Sequence, residues 1–359
     1  MIVIGTDPHK RSHTAAAVDS ASGELRSGET VAARFEGHLA LVDWARSLDS
    51  ERIWAIEDCR HVSGGLERFL VASGERVVRV PPKLMAGARR GLRERGKSDP
   101  IEALAVARAA LREGVERLPC AQLDEDALEI RLLLDHREDL VAERTRTQNR
   151  LRWHLHEELP ELEIPAGGLD RLKWLELIAR KLRRVRQSAR VRIMREQLRR
   201  LRELARECRR LEYELGALVR AYAPELLELD GCGVLTAAKL VGETAGVERF
   251  ETDAQFARTA AAAPIPASSG RSDRHRLDRG GNRQLNLALH RIAIGQARLH
   301  EPARAYLARK QVEGKSRKEA QRCLKRHLAR AVFRILVAVN RKRKTSTAPN
   351  APIPALALT

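Results

Sequence analysis

The sequence predicts an α/β domain built on a mixed sheet, followed by an all-α remainder, and three observations carry that prediction. Short apolar runs that end in turns or acids alternate with helical spacing over residues 1–113. Strand signals vanish between residues 124 and 220, where Leu, Arg and Glu recur every three or four positions. From Pro224 onward small residues return and lead into a long basic helical stretch. At 359 residues the chain can bury two or three separate cores.

Taken in order, MIVIGTD is an apolar strand ending in Asp7, and HTAAAVDSASGEL reads as a strand, a Ser/Gly turn and the start of another. GETVAARF continues as a third strand, and a helix follows near residues 37–48. RIWAIED is a further apolar run ending in acids; a helix around 64–73 and the strand ERVVRV come next, closed by Pro81 and Pro82. From Asp99 to about Leu111, the residues Ala103, Val106, Ala107, Ala110 and Leu111 repeat at helical spacing while Arg108 falls off the stripe. Hairpin strands first and strand–helix alternation afterwards give a mixed sheet with helices packed on it. The middle reads as an antiparallel helical hairpin or coiled coil, broken near Pro160–Gly168. Domains are therefore expected at 1–120, an arm at 121–222, a mainly helical C-terminal domain at 223–344, and a disordered Pro/Ala/Thr-rich tail at 345–359.

Composition narrows the function. The net charge of +19 is concentrated: residues 171–210 hold sixteen Lys/Arg against four acids, and residues 271–344 hold twenty-two against five. Two mostly Arg blocks in a chain without a membrane signal mark a polyanion partner, nucleic acid above all. Arg suits bidentate phosphate contacts better than Lys. The opening MIVIG is too short for a signal-peptide core, and no apolar run approaches the ~18–20 residues that cross a bilayer. Five cysteines without a CxxC pair argue against a disulfide framework or a zinc site and fit a reducing cytoplasm. His154 and His156 lie two apart on a helix and face different directions, so they make poor joint ligands.

The stretch GLRERGKSDPIEA, residues 91–103, admits three readings. Gly91, Gly96, Lys97 and Ser98 satisfy a phosphate-loop pattern, but that loop needs a strand running directly into its first glycine and a helix already under way at the Lys-Ser. Here PPKLMAGARR intervenes and Pro100 follows Ser98, so the context is wrong. As a helix start, Asp99 at the N-cap, Pro100 at N1 and Glu102 at N3 form a capping box. The same two carboxylates also share one face of a first helical turn, where a metal ion could use them. Asp7 and Glu57 end apolar strands, and if those strands are neighbours, four acids gather at one sheet edge. Such acids repel unless cations neutralise them, and hard oxygen ligands select Mg²⁺ or Mn²⁺. Paired ions of this kind clamp the attacking and leaving oxygens of a phosphodiester displacement, the architecture of ribonuclease-H-like nucleases.

The C-terminal third carries a second constellation. Gly231 and Gly233 lie in LLELDGCGVLTAAKLVGE between two apolar helices, a helix-hairpin-helix-like turn whose backbone N–H groups could grip a phosphate. Downstream, Ser268 and Ser269 precede Gly270 among Arg271, Arg274, Arg276 and Arg279, followed by Asn282 and Arg283. A serine in an Arg cluster has its phosphate electrophile attracted and charge-stabilised.

In order and spacing, IGTDPHKRSHTAAAVD, IED, KSDPIEALAVARAA, the helical middle, LDGCGVLTAAKLVGE, PIPASSG and GGNRQLNLAL resemble a DEDD-type insertion-sequence transposase, the family of Piv-like invertases and bridge-RNA-guided recombinases. The resemblance covers nearly the whole chain. It implies a RuvC-like domain in which Asp7, Glu57, Asp99 and Glu102 bind Mg²⁺ or Mn²⁺, a coiled-coil arm, and a C-terminal domain with Ser269 as nucleophile and Ser268 as its alternative. It also implies DNA substrates, a structured guide RNA and a homo-oligomer, dimer or tetramer. In that family the last acid is Asp; here Glu102 is one methylene longer, and TAAAAP stands where a glycine is expected before PIP. A junction nuclease that needs the acids but no serine, and a catalytically decayed nucleic-acid-binding copy, are the competing readings.

Overall fold

The structure is a computed structural model and describes residues 1–57, 64–81, 84–85, 98–268, 275–278 and 280–347. Among these, five strands form one sheet: β1 (Ile2–Pro8), β2 (Ser12–Asp19), β3 (Leu25–Ala32), β4 (Arg52–Glu57) and β5 (Val77–Val80). Their order is β3-β2-β1-β4-β5. The first three are antiparallel neighbours, whereas β4 runs parallel to β1 and β5 parallel to β4. This is the mixed, RNase-H-like sheet expected from hairpins followed by strand–helix alternation.

Side-chain alternation sends successive residues of each strand to opposite faces. Ile2, Ile4, Trp54 and Ile56 bury against α1 (Phe35–Leu48) and α2 (Gly64–Ala72) through Leu41, Ala45, Leu66 and Leu70. Val3, Ile53 and Ala55 bury on the other face with Val106, Ala107 and Ala110 of α3 (Asp99–Glu113). Each fully buried Ile or Val side chain is worth about 1.5–3 kcal/mol. The same alternation assigns Asp7 and Glu57 to the α3 face. Gly5 lets that helix sit close: a Cβ there would lie 2.2 Å from the Ala103 carbonyl oxygen and 2.3 Å from the Ala107 nitrogen.

The described residues divide into two compact units. One holds residues 1–125, 228–232 and 243 onward; the other holds 126–227 and 233–242. The second unit is helical, with α4 (Glu125–Glu158), α5 (Leu172–Leu182), α6 (Ala189–Tyr222) and most of α7 (Val234–Thr244). Arg137–Glu212, Glu143–Arg200 and Glu157–Arg190 ion pairs step in opposite directions along α4 and α6, so those helices are antiparallel. Leu198, Leu201, Leu204, Cys208, Leu211 and Leu215 repeat at three- and four-residue steps on the buried face of α6. The break expected near Pro160–Gly168 is followed by an extra short helix, α5, before α6 begins, and it adds Leu175, Ile178 and Leu182 to the core.

The C-terminal part of the first unit contains α8 (Asp253–Thr259), the two-residue strands β6 (Ile265–Pro266) and β7 (His275–Arg276), α9 (Arg283–Leu299), α10 (Glu301–Val312) and α11 (Arg317–Thr347). The single long basic helix read from the sequence is thus three helices. Pro302 cannot continue α9 and instead sits in the first turn of α10, and Gly314 at φ +84° ends α10. Helix α11 runs on to Thr347, past the expected start of the tail, and residues 348–359 lie outside the described residues.

Candidate metal centre

Parallel pairing of β1 with β4 places Thr6 opposite Ile56, so Asp7 and Glu57 are the next residues of adjacent strands. Helix α3 then brings its N-terminal end over Asp7. Its N-cap is Ser98, one residue earlier than the capping box predicts, and no side chain caps the helix. Asp99 therefore stands at the first helical position with its carboxylate turned to other partners. Its Oδ1 lies 3.2 Å from His9 Nε2, and that same nitrogen lies 3.2 Å from Asp7 Oδ2. The three ligand atoms all fall within 4.8 Å of one another. Hydrogen bonding from the His9 backbone N–H to the Ser12 carbonyl, 2.9 Å, tightens the β1–β2 turn that presents the imidazole.

Asp7 is only 5% exposed. Burial pushes its carboxyl pKa above the ordinary value, Glu102 and Asp99 push it the same way, and His9 partly offsets them. Although His9 is near, its approach to Oδ2 lacks hydrogen-bond geometry, and this buried oxygen has no hydrogen-bond partner. The His9 contact is thus electrostatic. The arrangement fits a hard divalent cation: a desolvated carboxylate oxygen without a donor, a second carboxylate beside it, and a third acid acting on the first. The positive end of the α3 dipole further favours acids in its first turn. Glu57, half-buried at the end of β4 opposite Val80, is brought to the neighbouring strand but not into the Asp7–His9–Asp99 cluster. Sequence reasoning missed His9; the TDPHK turn held the signal, since it places an imidazole two residues beyond a strand-ending acid.

Comparison with known proteins gives two matches that together span most of the chain. Residues 4–160 match the IS110 DEDD family described as "Transposase", and residues 223–308 match the "Transposase IS116/IS110/IS902 family". The chain belongs to the IS110 family of DEDD transposases. It is 26% identical over 332 residues to the 42 kDa protein of insertion element IS900 from Mycobacterium paratuberculosis, covering 80% of this chain and 83% of that one. It is 29% identical over 286 residues to the 43.6 kDa protein of insertion element IS110 from Streptomyces coelicolor, covering 67% and 70%. The match to the 44.8 kDa protein of insertion element IS116 from Streptomyces clavuligerus, 37% identical over 165 residues, spans 45% of this chain and 40% of that protein. Among solved structures, T. thermophilus RuvC in complex with a Holliday junction substrate is similar at 19% identity and a TM-score of 0.25, covering 32% of this chain and 96% of that one.

Of the other residues that the sequence singles out, Ser269, Arg271, Arg274 and Arg279 lie outside the described residues, as do Gly91, Gly96 and Lys97 of the phosphate-loop pattern. Ser268 follows β6 and is exposed, as are Arg276 in β7 and Arg283 at the start of α9. Asn282 caps α9: its Oδ1 accepts from the Gln284 and Leu285 N–H groups at 2.8 and 3.1 Å, and its Nδ2 donates to Glu243 Oε2 at 2.8 Å. Gly231 adopts φ +80°, and a Cβ there would meet the Ile292 carbonyl oxygen at 3.0 Å, so it packs closely on α9. A Cβ at Gly233 would meet nothing within 4 Å. No helix among the described residues is long and apolar enough to cross a membrane.

Proposed function

We propose that this transposase cuts and rejoins DNA at a divalent-metal site made by Asp7, Glu57, Asp99 and Glu102, with Ser269 as the nucleophile. The observation that supports it most is the buried, donor-free Oδ2 of Asp7 beside Asp99. Bound Mg²⁺ or Mn²⁺ would orient a phosphodiester and stabilise the charge that builds on its oxygens. Asp7 and Glu57 would act from the ends of the adjacent strands β1 and β4, and Asp99 and Glu102 from the first turn of α3. The longer Glu102 side chain keeps a carboxylate in that turn. Ser269 would attack phosphorus, its Oγ–P bond forming as the bond to the departing strand oxygen breaks and that oxygen takes up a proton. The acids and Ser268, which directly precedes Ser269, belong to the same compact unit. The Arg-rich blocks supply phosphate contacts, and a structured guide RNA that selects donor and target, with a dimer or tetramer as the working assembly, follows from the family resemblance.

A junction nuclease without serine chemistry is the second reading, since it needs only the acids, of which Asp7 and Asp99 lie together, whereas Ser269 is outside the described residues. Strand exchange assays separate the two. Asp7→Ala should abolish both cleavage and joining, whereas Ser269→Ala combined with Ser268→Ala should abolish joining and the trapped protein–DNA adduct. Recombinants from the double serine variant would refute the serine role, and unchanged cleavage by Asp7→Ala would refute the metal site.

A further inference from the structure

A cavity of about 460 Å³ opens among β7, α10 and α11, within the roughly 300–1,000 Å³ common for ligand sites. Lys325 lines it and is only 6% exposed. Its ammonium donates to Asn286 Oδ1 at 2.9 Å, and the Asn286 amide is itself held by bonds of 2.9 Å to the Ala260 and Ala261 carbonyls. One neutral acceptor thus meets a group with three N–H donors. Among the described residues, no carboxylate lies within ion-pairing distance of Lys325, and burial followed by the nearby Arg322 push its pKa below the ordinary lysine value. Burial, and after it that same ammonium, lowers the His290 pKa below its ordinary value.

The acids around the cavity are engaged elsewhere. Glu313 pairs with Lys310 at 2.6 Å, Glu319 lies 3.7 Å from Arg322 and caps Ser316, and Asp278 accepts the Gly280 N–H at 2.8 Å. Arg276 of β7 lines the same space and has no carboxylate within ion-pairing distance among the described residues. A buried cation without a counter-charge is costly unless a ligand supplies one. Residues 271–344 carry twenty-two Lys/Arg against five acids, a charge excess that favours a polyanion such as a phosphodiester backbone.

We propose that this cavity binds one phosphate group of a nucleic-acid strand, with Lys325 at its floor and Arg276 and Arg322 at its rim. The site rests on the reading that the chain handles nucleic acid, but it needs no catalysis. Phosphate oxygens accept the two ammonium N–H groups that Asn286 leaves over, and the guanidinium of Arg276 adds planar donors.

The test uses the full chain in EDTA, so that binding is read without metal-dependent cleavage, and follows the anisotropy of labelled single-stranded DNA and RNA oligonucleotides. Lys325→Met should weaken binding about tenfold or more, and Arg276→Ala about threefold, while the exposed Lys318→Met stays within about twofold. Loss with DNA alone, RNA alone or both identifies the source of the phosphate, and each supports the site. Inorganic pyrophosphate should raise the Tm of the parent protein at matched ionic strength, and Arg276→Ala should blunt that rise even if Lys325→Met fails to fold. Unchanged affinity for both strands in the folded variants, with an undiminished pyrophosphate effect, overturns the proposal. Loss of cleavage in Asp7→Ala is a separate readout, so failure of the phosphate site and failure of the metal site are distinguishable.

Discussion

Asp7 is the last residue but one of β1, its carboxylate buried beside the start of α3 and close to two further acids and to one imidazole. An isolated strand-ending Asp would be solvated; here burial and like charges disfavour its ionised form. The sign of the linkage follows. A carboxyl whose folded pKa lies above its unfolded value holds its proton longer in the native state, so its stabilising share is present at low pH and is lost as pH rises from the unfolded value of 3.8 through the folded one. Asp7→Asn should therefore raise the melting temperature at neutral pH while removing metal-dependent cleavage. Mn²⁺ should raise the melting temperature of the parent protein but not of the variant. Thermal scans with and without metal check both; a variant that melts lower at pH 7 contradicts the burial argument.

Asp99 shows what single positions conceal. A capping box accounts for Asp99, Pro100 and Glu102 as a helix start, and the structure moves the cap to Ser98. The one-residue offset separates a capping acid from one that faces His9 and Asp7, and spacing cannot resolve it because both arrangements use the same letters. His9 was hidden for a similar reason: its proximity to Asp99 depends on a helix ninety residues away in sequence.

At the scale of elements, the site depends on how closely α3 lies on β1. Gly5 permits that approach because a Cβ would strike helix backbone at 2.2–2.3 Å. Gly5→Val should cost about 2–3 kcal/mol through overpacking and should carry Asp99 away from Asp7. The expected result is weaker Mn²⁺ binding, beyond what the stability loss explains at temperatures well below melting. Equal Mn²⁺ affinity would show that the helix reaches its place by another contact.

The opposite face of the sheet offers a pH test. His13 of β2 stacks on His38 of α1, with Nε2 atoms 3.2 Å apart. Burial, with His38 and His9 nearby, pushes His13 down to about 4 from 6.5. Its folded pKa is depressed, so the unfolded chain takes the proton first; the contribution is full above 6.5 and is lost as pH falls toward 4. It is bounded at about 3 kcal/mol. Urea unfolding of the parent protein should weaken over that window, and His13→Gln should flatten the decline; parallel curves would show that His13 is not responsible. The element list itself was largely legible, because buried strands and amphipathic helices differ in period. Short breaks were harder: Pro302 and Gly314 divide one basic run into three helices without interrupting its charge pattern.

For the whole molecule, charge concentration and element order in the sequence alone point to nucleic acid and to an RNase-H-like sheet. What the sequence could not supply was convergence. Asp7 and Asp99 come together only because α3 returns across β1, and Glu57 stands on the next strand because β4 pairs parallel to β1. The Lys325 cavity was invisible for the same reason, as its buried ammonium reads in sequence like any other cation of a basic helix.

The central claim is that the acids at the β1–β4 edge and the α3 start share a divalent ion. Calorimetric titration of Mn²⁺ into the full chain tests it most directly, comparing the parent protein with Asp7→Asn and Asp99→Asn. The account predicts saturable binding that each substitution weakens by about tenfold or more. Identical Mn²⁺ isotherms for all three proteins would contradict it.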